Sequence, residues 1–264
     1  MAIHDISQCT QWLDINSNLQ FIANYKQWKL TSVFQPIFDK LDNVIGAEAL
    51  VRITDLEGQI IQPDHFFHSK TTQEEDKQNV ERLSQAIHLR NFSLSKFRDL
   101  KLFLNLLPTV GEHYATNGLN KDHLYQRLRN LHLRSDQLVM EVVESQAKDE
   151  RLLQVGMNRL SVYGVNIAID DFGSEASNQR RVEMLRPHIM KLDRSLLAEY
   201  MCGKPFRLLD GLRLAKRVGA QTVIEGIETL DEYDAMHELD IDMFQGYYLG
   251  VPEALQSKIF VEAS

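Results

Sequence analysis

At 264 residues, 44% of them hydrophobic, the chain is long enough to bury one large core and matches the size of a single α/β barrel. A formal net charge of -8 at pH 7 speaks against a polynucleotide partner, although a small anion can still be held through metal ions or a local arginine. Cys9 and Cys202 follow no metal or redox spacing, no apolar run approaches the roughly 18 residues of a membrane span, and the first ten residues lack a basic stretch followed by an apolar one. The expectation is a soluble, cytoplasmic protein without a disulfide framework.

In chain order, residues 11–29 read as a helix inside a short helical lead-in, 1–30, ahead of a barrel domain, 31–264. Strand-like runs follow at 31–39 and 45–53, joined only by residues 40–43. A parallel crossover needs about a dozen residues, so the first strand is predicted to run antiparallel to the second. His65 and His68 have a spacing that could hold a metal on one helical turn, but Phe66 and Phe67 between them point instead to an anchoring turn after Pro63. Thr72 and Glu75 form a capping-box signature that starts a helix near 73–98. Strands are predicted at 101–107, 138–143, 166–170, 189–193, 222–227 and 243–249. Helices are predicted near 121–131, 148–163, 177–185, 204–218, 230–239 and 253–261, with Gly164 and Gly219 as stops and Thr229 with Glu232 as a second capping box. Eight strands alternating with helices give an α/β fold, a modified TIM (β/α)8 barrel with an antiparallel first strand, whose chemistry belongs at the C-terminal ends of the strands.

Charged and polar groups interrupt or immediately follow these apolar runs: Glu48 and Arg52, Asn105, Glu141 and Glu144, Asp170 and Asp171, Lys191 and Asp193, Glu225 and Glu228. Burying a carboxylate costs several kcal/mol unless it is paired or bound to a metal, so acids at five strand ends call for a common cation. Individually the residues have plainer readings. Asp193 can be a helix cap, Arg52 can pair with a nearby acid, and Gln245-Gly246-Tyr247 can be strand packing around a small residue.

The ordered set Phe34-Gln35-Pro36-Ile37, Gly46-Ala47-Glu48-Ala49-Leu50-Val51-Arg52, Asn105-Leu106, Glu141 with Glu144, Asp170-Asp171-Phe172-Gly173, Lys191 with Asp193, Glu225 with Glu228, and Gln245-Gly246-Tyr247 closely resembles the EAL family of cyclic di-GMP phosphodiesterases. The resemblance runs from about residue 31 to Pro252, and that family's fold is also a barrel with a reversed first strand. It implies that Glu48, Asn105, Glu141, Asp170, Asp171 and Glu225 bind two divalent cations, Mg²⁺ or Mn²⁺, with Asp170 bridging. It also implies catalytic roles for Glu48, Glu225 and Lys191, the last positioning or deprotonating the attacking water beside Asp193. Substrate contacts would come from Gln35, Leu50, Arg52, Asp193 and Gln245, with Glu144 and Glu228 behind the ligands. The implied reaction is hydrolysis of cyclic di-GMP to linear pGpG by water activated between two metals, in a homodimer.

One stretch departs from the family pattern. After Asp170-Asp171-Phe172-Gly173 the chain reads Ser174-Glu175-Ala176-Ser177-Asn178, with Glu175 in place of a glycine and Ala176 in place of an aromatic residue. If that position needs a left-handed backbone, the change costs about 1–2 kcal/mol. This loop links the metal site to a dimer interface in the family, so the departure carries an alternative: a catalytically weak module that binds cyclic di-GMP or a protein partner.

Overall fold

The structure, a computed structural model, describes residues 11–116, 121–143, 145, 147–174 and 179–256. Its strands are β1 (Leu13–Ile15), β2 (Phe21–Tyr25), β3 (Trp28–Asp39), β4 (Val44–Thr54), β5 (Ile60–Ile61), β6 (Lys101–Leu106), β7 (Leu138–Val142), β8 (Asn166–Phe172), β9 (Ile189–Leu192), β10 (Gln221–Ile224) and β11 (Met243–Phe244). Its helices are α1 (Pro63–His68), α2 (Glu74–Ser93), α3 (Pro108–Thr116), α4 (Lys121–Asn130), α5 (Glu150–Val162), α6 (Gln179–Leu185), α7 (Arg194–Met201), α8 (Phe206–Val218) and α9 (Leu230–His237).

Eight strands close a barrel in the order β3-β4-β6-β7-β8-β9-β10-β11 and back to β3. β3 is antiparallel to both of its neighbours, whereas the pairings from β4 and β6 round to β10 and β11 are parallel. The reversed first strand follows from its short link. Asp39 accepts the amides of Leu41 and Asn43 at 2.8 and 2.9 Å, and Asp42 takes a left-handed φ of 59°, so β3 and β4 are joined as a hairpin.

Side chains alternate along a strand, and the barrel interior uses that period of two. Ile37, Phe103, Val139, Ala168, Ile189, Val223 and Met243, with Ile45 against them, form an apolar floor to which every barrel strand contributes one residue. Two positions further towards the C-terminal ends of the parallel strands stand Asn105, Glu141, Asp170, Lys191, Glu225 and Gln245, and on the reversed strand Gln35 lies two residues before Ile37. The polar layer therefore rests directly on a dry one. A larger apolar cluster outside the barrel packs its outer face against the helices.

The helical lead-in is corrected by the structure. Residues 13–15 and 21–25 are strands, joined to β3 as an antiparallel meander in which Tyr25 pairs with Trp28 across a turn at Lys26, φ 52°. Ala23, Tyr25 and Leu30 are buried against Phe66, Val80, Leu83 and Ile87 of α1 and α2, so tertiary packing selects strand where the local pattern read as helix. Three further differences are local. Gln73, not Thr72, caps α2 and makes no side-chain bond, whereas Thr229 and Glu232 form the expected capping box. The strand expected over 243–249 stops at Phe244, because Gly246 lies against the Ile227 backbone, where an added Cβ would meet its carbonyl oxygen at 2.1 Å. Residues 251–256 are not helical, and the rest of the helix expected at 253–261 lies outside the described residues. α1, α3 and α7 are additional to the expected set.

Candidate active site

The polar layer converges on one amine. Lys191 Nζ, on a side chain 1% exposed, lies 2.8 Å from Glu141 Oε1, Asp170 Oδ1 and Glu225 Oε1, and 3.4 Å from Glu48 Oε2. Burial pulls the Lys191 pKa down, but Asp170, Glu141, Glu225 and Glu48 outweigh it and hold the amine well above its ordinary value. Burial and then the neighbouring acids push Glu141 and Glu225 up despite the lysine, and burial with the Asp170 charge pushes Asp171 up to about 7.

A β-bulge brings the two adjacent aspartates together. Ile169 pairs with Met190 and Phe172 with Leu192, so β8 carries one residue more than β9 across this interval, and Asp171 takes a left-handed φ of 52°. A regular strand would send Asp170 and Asp171 to opposite faces. Here Asp170, Asp171 and Glu225 each offer an oxygen within 4.8 Å of the others. Aspartate tolerates this backbone better than most residues, which keeps the strain modest.

The arrangement is short of positive charge. With every carboxyl ionised, Glu48, Glu141, Asp170 and Glu225 around Lys191 and Asp171 beside them carry a formal excess of four negative charges over the one ammonium the described residues bring there, the charge of two divalent cations. Glu141 Oε2 is buried without a hydrogen-bond partner among the described residues, while Glu141 Oε1 and Asp170 Oδ1 face Lys191 Nζ at 2.8 Å, so the one amine leaves acceptor capacity unused. Carboxylates with one amide, Asn105, form an oxygen set suited to hard cations such as Mg²⁺, Mn²⁺ or Ca²⁺.

Of the remaining sequence-predicted residues, Gln35, Leu50, Arg52, Glu228 and Gln245 line two hollows beside this cluster. A cavity of 810 Å³ is lined by Leu50, Arg52, Glu81, Asn105, Asp170 and Asp171 among others. A second, of 270 Å³, is lined by Gln35, Glu48, Glu225, Glu228, Gln245 and Tyr247 with their neighbours. Gln245 donates from Nε2 to Glu48 Oε2 at 2.8 Å, and Gln35 donates to the Gly250 carbonyl at 3.1 Å. Arg52 donates to the Val51 carbonyl at 3.1 Å, and no ion pair of Arg52 with an acid occurs among the described residues. Asp193 is the N-cap of α7, accepting the Ser195 amide at 3.0 Å, so its capping reading holds as geometry. Glu228 pairs with Arg194 at 2.9 Å. Glu144 and residues Glu175, Ala176, Ser177 and Asn178 lie outside the described residues.

The sequence reading passed over α2. Glu81, Gln85 and His88 line the larger cavity from that helix. Burial holds His88 neutral, pushed down to about 3 with help from the Arg52 charge, and its Nδ1 lies 2.7 Å from Ser32 Oγ. Burial pushes Glu81 up to about 8. The signal available in the sequence was an acid and an amide four residues apart in an otherwise core-facing helix.

Residues 20–252 match the profile of the EAL domain. The chain is 28% identical over 261 residues to the probable cyclic di-GMP phosphodiesterase PdeI of Escherichia coli K12, covering 90% of this chain and 31% of that protein. Among solved structures, the Bacillus subtilis YkuI protein, described as having an EAL domain in complex with substrate c-di-GMP and calcium, superposes with a TM-score of 0.68 at 25% identity, covering 89% of this chain and 59% of YkuI. The PaMucR phosphodiesterase in its c-di-GMP complex superposes with a TM-score of 0.70 at 24% identity, covering 85% of this chain and 92% of the other, which supports the fold. The chain spans about a third of the length of PdeI, and among the described residues no helix is long and apolar enough to cross a membrane. With the barrel, its reversed strand and the match over nearly the whole chain in agreement, this protein belongs to the EAL domain family.

Proposed function

We propose that this chain is a metal-dependent phosphodiesterase that hydrolyses cyclic di-GMP to linear pGpG and so lowers this second messenger in the cytoplasm. The observation that carries the reading is the buried Lys191–carboxylate cluster, with a formal excess of four negative charges when its carboxyls are ionised, open to hollows large enough for a nucleotide. The names of the relatives supply the substrate class, and calcium in the YkuI complex supports divalent binding in this kind of site.

In this reading Glu48, Asn105, Glu141, Asp170, Asp171 and Glu225 hold two divalent cations, Mg²⁺ or Mn²⁺. When bound, the cations supply a water acidic enough to attack at neutral pH and neutralise charge on the phosphodiester. The protein's own groups do the rest. Gln245 fixes the orientation of Glu48 through their 2.8 Å hydrogen bond, a positioning task added to any contact with substrate. Lys191, hemmed in by carboxylates that keep it charged, orients the attacking water as a donor in preference to removing its proton. Arg52 holds a phosphate oxygen, while Leu50 and Gln35 shape the groove, Asp193 reaches the substrate from the start of α7, and Glu228 braces the loop after β10 through Arg194.

The altered sequence Ser174-Glu175-Ala176-Ser177-Asn178 favours a second reading, a module that binds cyclic di-GMP without turning it over. Homodimerisation is part of the first proposal. Turnover of cyclic di-GMP by the purified protein with Mg²⁺ or Mn²⁺, with chelator, and with Glu48→Ala separates the two. Metal-dependent pGpG formation lost in the variant supports the enzyme; binding at every metal concentration without pGpG refutes it in favour of the receptor.

A further inference from the structure

The barrel wall parts between β4 and β6. Their pairing ends at Ala49 and Leu104, while β4 continues beside β3 to Thr54. Backbone groups alternate sides along a strand, and the Leu106 carbonyl turns towards β7, accepting the Val143 amide at 3.3 Å. The Asn105 carbonyl and the Leu107 amide therefore face the side that β4 has left. Two side chains of α2 take its place. Gln85 Nε2 donates to the Asn105 carbonyl at 3.1 Å, and Glu81 Oε1 accepts the Leu107 amide at 2.9 Å. The two are four residues apart, on one face of the helix, and are themselves joined at 3.3 Å from Gln85 Nε2 to Glu81 Oε1.

We propose that Glu81 and Gln85 form a positioning clamp for Asn105, gripping the backbone on both sides of it so that its side-chain amide is held at the cation site. The inference rests on the metal-dependent reading above. Both residues are 5% exposed, and Glu81 Oε2 has no hydrogen-bond partner among the described residues. A buried acid with an unsatisfied oxygen is a costly way to close a strand edge. It is accounted for if the edge must be fixed at one residue, because groups behind a metal ligand set its orientation and with it the affinity. Glu48, Glu141, Asp170 and Glu225 are anchored by ion pairs to Lys191; Asn105, an uncharged amide, has no ion pair to hold it and needs another anchor.

The test is Mn²⁺ binding to the purified chain by titration calorimetry, with the metal-free melting temperature taken on the same samples, for wild type, Gln85→Met, Glu81→Leu, Glu81→Gln, Asn105→Ala and the Gln85→Met/Asn105→Ala pair. Gln85→Met and Glu81→Leu are expected to weaken Mn²⁺ binding about 10–100-fold. Glu81→Gln, which keeps an oxygen for the Leu107 amide, is expected to recover most of that loss. In the Asn105→Ala background Gln85→Met should add nothing, since the clamp then has no amide to hold. Unchanged Mn²⁺ affinity in Gln85→Met and Glu81→Leu, or an equal loss with and without Asn105, would overturn the clamp while leaving the metal site intact. Wild-type protein that binds no Mn²⁺ would overturn the metal reading itself and the clamp with it.

Discussion

Replacing Lys191 by methionine keeps the length of the side chain and removes the only cation among the described residues in contact with Glu48, Glu141, Asp170 and Glu225. Removing one partner of a buried ion pair costs about 3–5 kcal/mol, because the charge left behind is neither hydrated nor compensated. In a domain of this size each kcal/mol moves Tm by about 2–4 °C, so the metal-free variant should melt roughly 6–20 °C below wild type at pH 8. The deficit should shrink at pH 5.5, where Glu141 and Glu225, already biased towards their neutral forms by burial, take up protons in place of the lost ammonium. Saturating Mn²⁺ should raise Tm more in the variant than in wild type, since the cation then supplies the missing counter-charge, while pGpG formation stays lost. The assay is thermal unfolding by circular dichroism in chelator and in Mn²⁺ at both pH values. Equal melting temperatures for variant and wild type in chelator at pH 8 would refute the account of Lys191 as counter-charge to the cluster.

Asp171, raised from 3.8 to about 7, and Glu81, raised from 4.5 to about 8, bind protons in the folded state that the unfolded chain has released. Their favourable contribution is complete below about pH 4 and is lost as pH rises to about 8, at most roughly 5 kcal/mol for the fully buried Glu81. Metal-free unfolding curves in urea should accordingly shift to lower midpoints across that window, and Glu81→Gln should flatten part of the slope. Gly156 faces α3 so closely that an added Cβ would stand 2.0 Å from the Gly111 carbonyl oxygen. Gly156→Ala has backbone as its obstacle, so the loss should be at or above the usual 1–3 kcal/mol of overpacking, visible as a lower midpoint in denaturant; an unchanged midpoint would show that α3 and α5 separate at little cost.

The eight barrel strands were legible in the sequence because each is a short apolar run, and the reversed first strand because four residues cannot carry a parallel crossover. The acids Glu48, Glu141, Asp170 and Glu225 stood out in the sequence because a charge in such a run is expensive enough to demand a purpose, whereas roles for Asn105, Gln35 and Gln245 came only from the family resemblance. Composition and periodicity did not reach the meander of β1 and β2, whose strands form only because Tyr25 and Ala23 find α1 and α2 to pack against. Nor did they reach the bulge that turns both Asp170 and Asp171 towards Glu225, since a bulge is set by register with β9 and leaves no mark in the string Asp170-Asp171. Glu81 and Gln85 read as ordinary helix residues until the parting of β4 from β6 leaves a carbonyl and an amide for them to satisfy. Sequence by itself determined which residues are costly to bury and how the chain must alternate. Tertiary structure decided which of those residues meet, because hydrogen-bond register and helix placement are properties of the closed barrel and of no single segment.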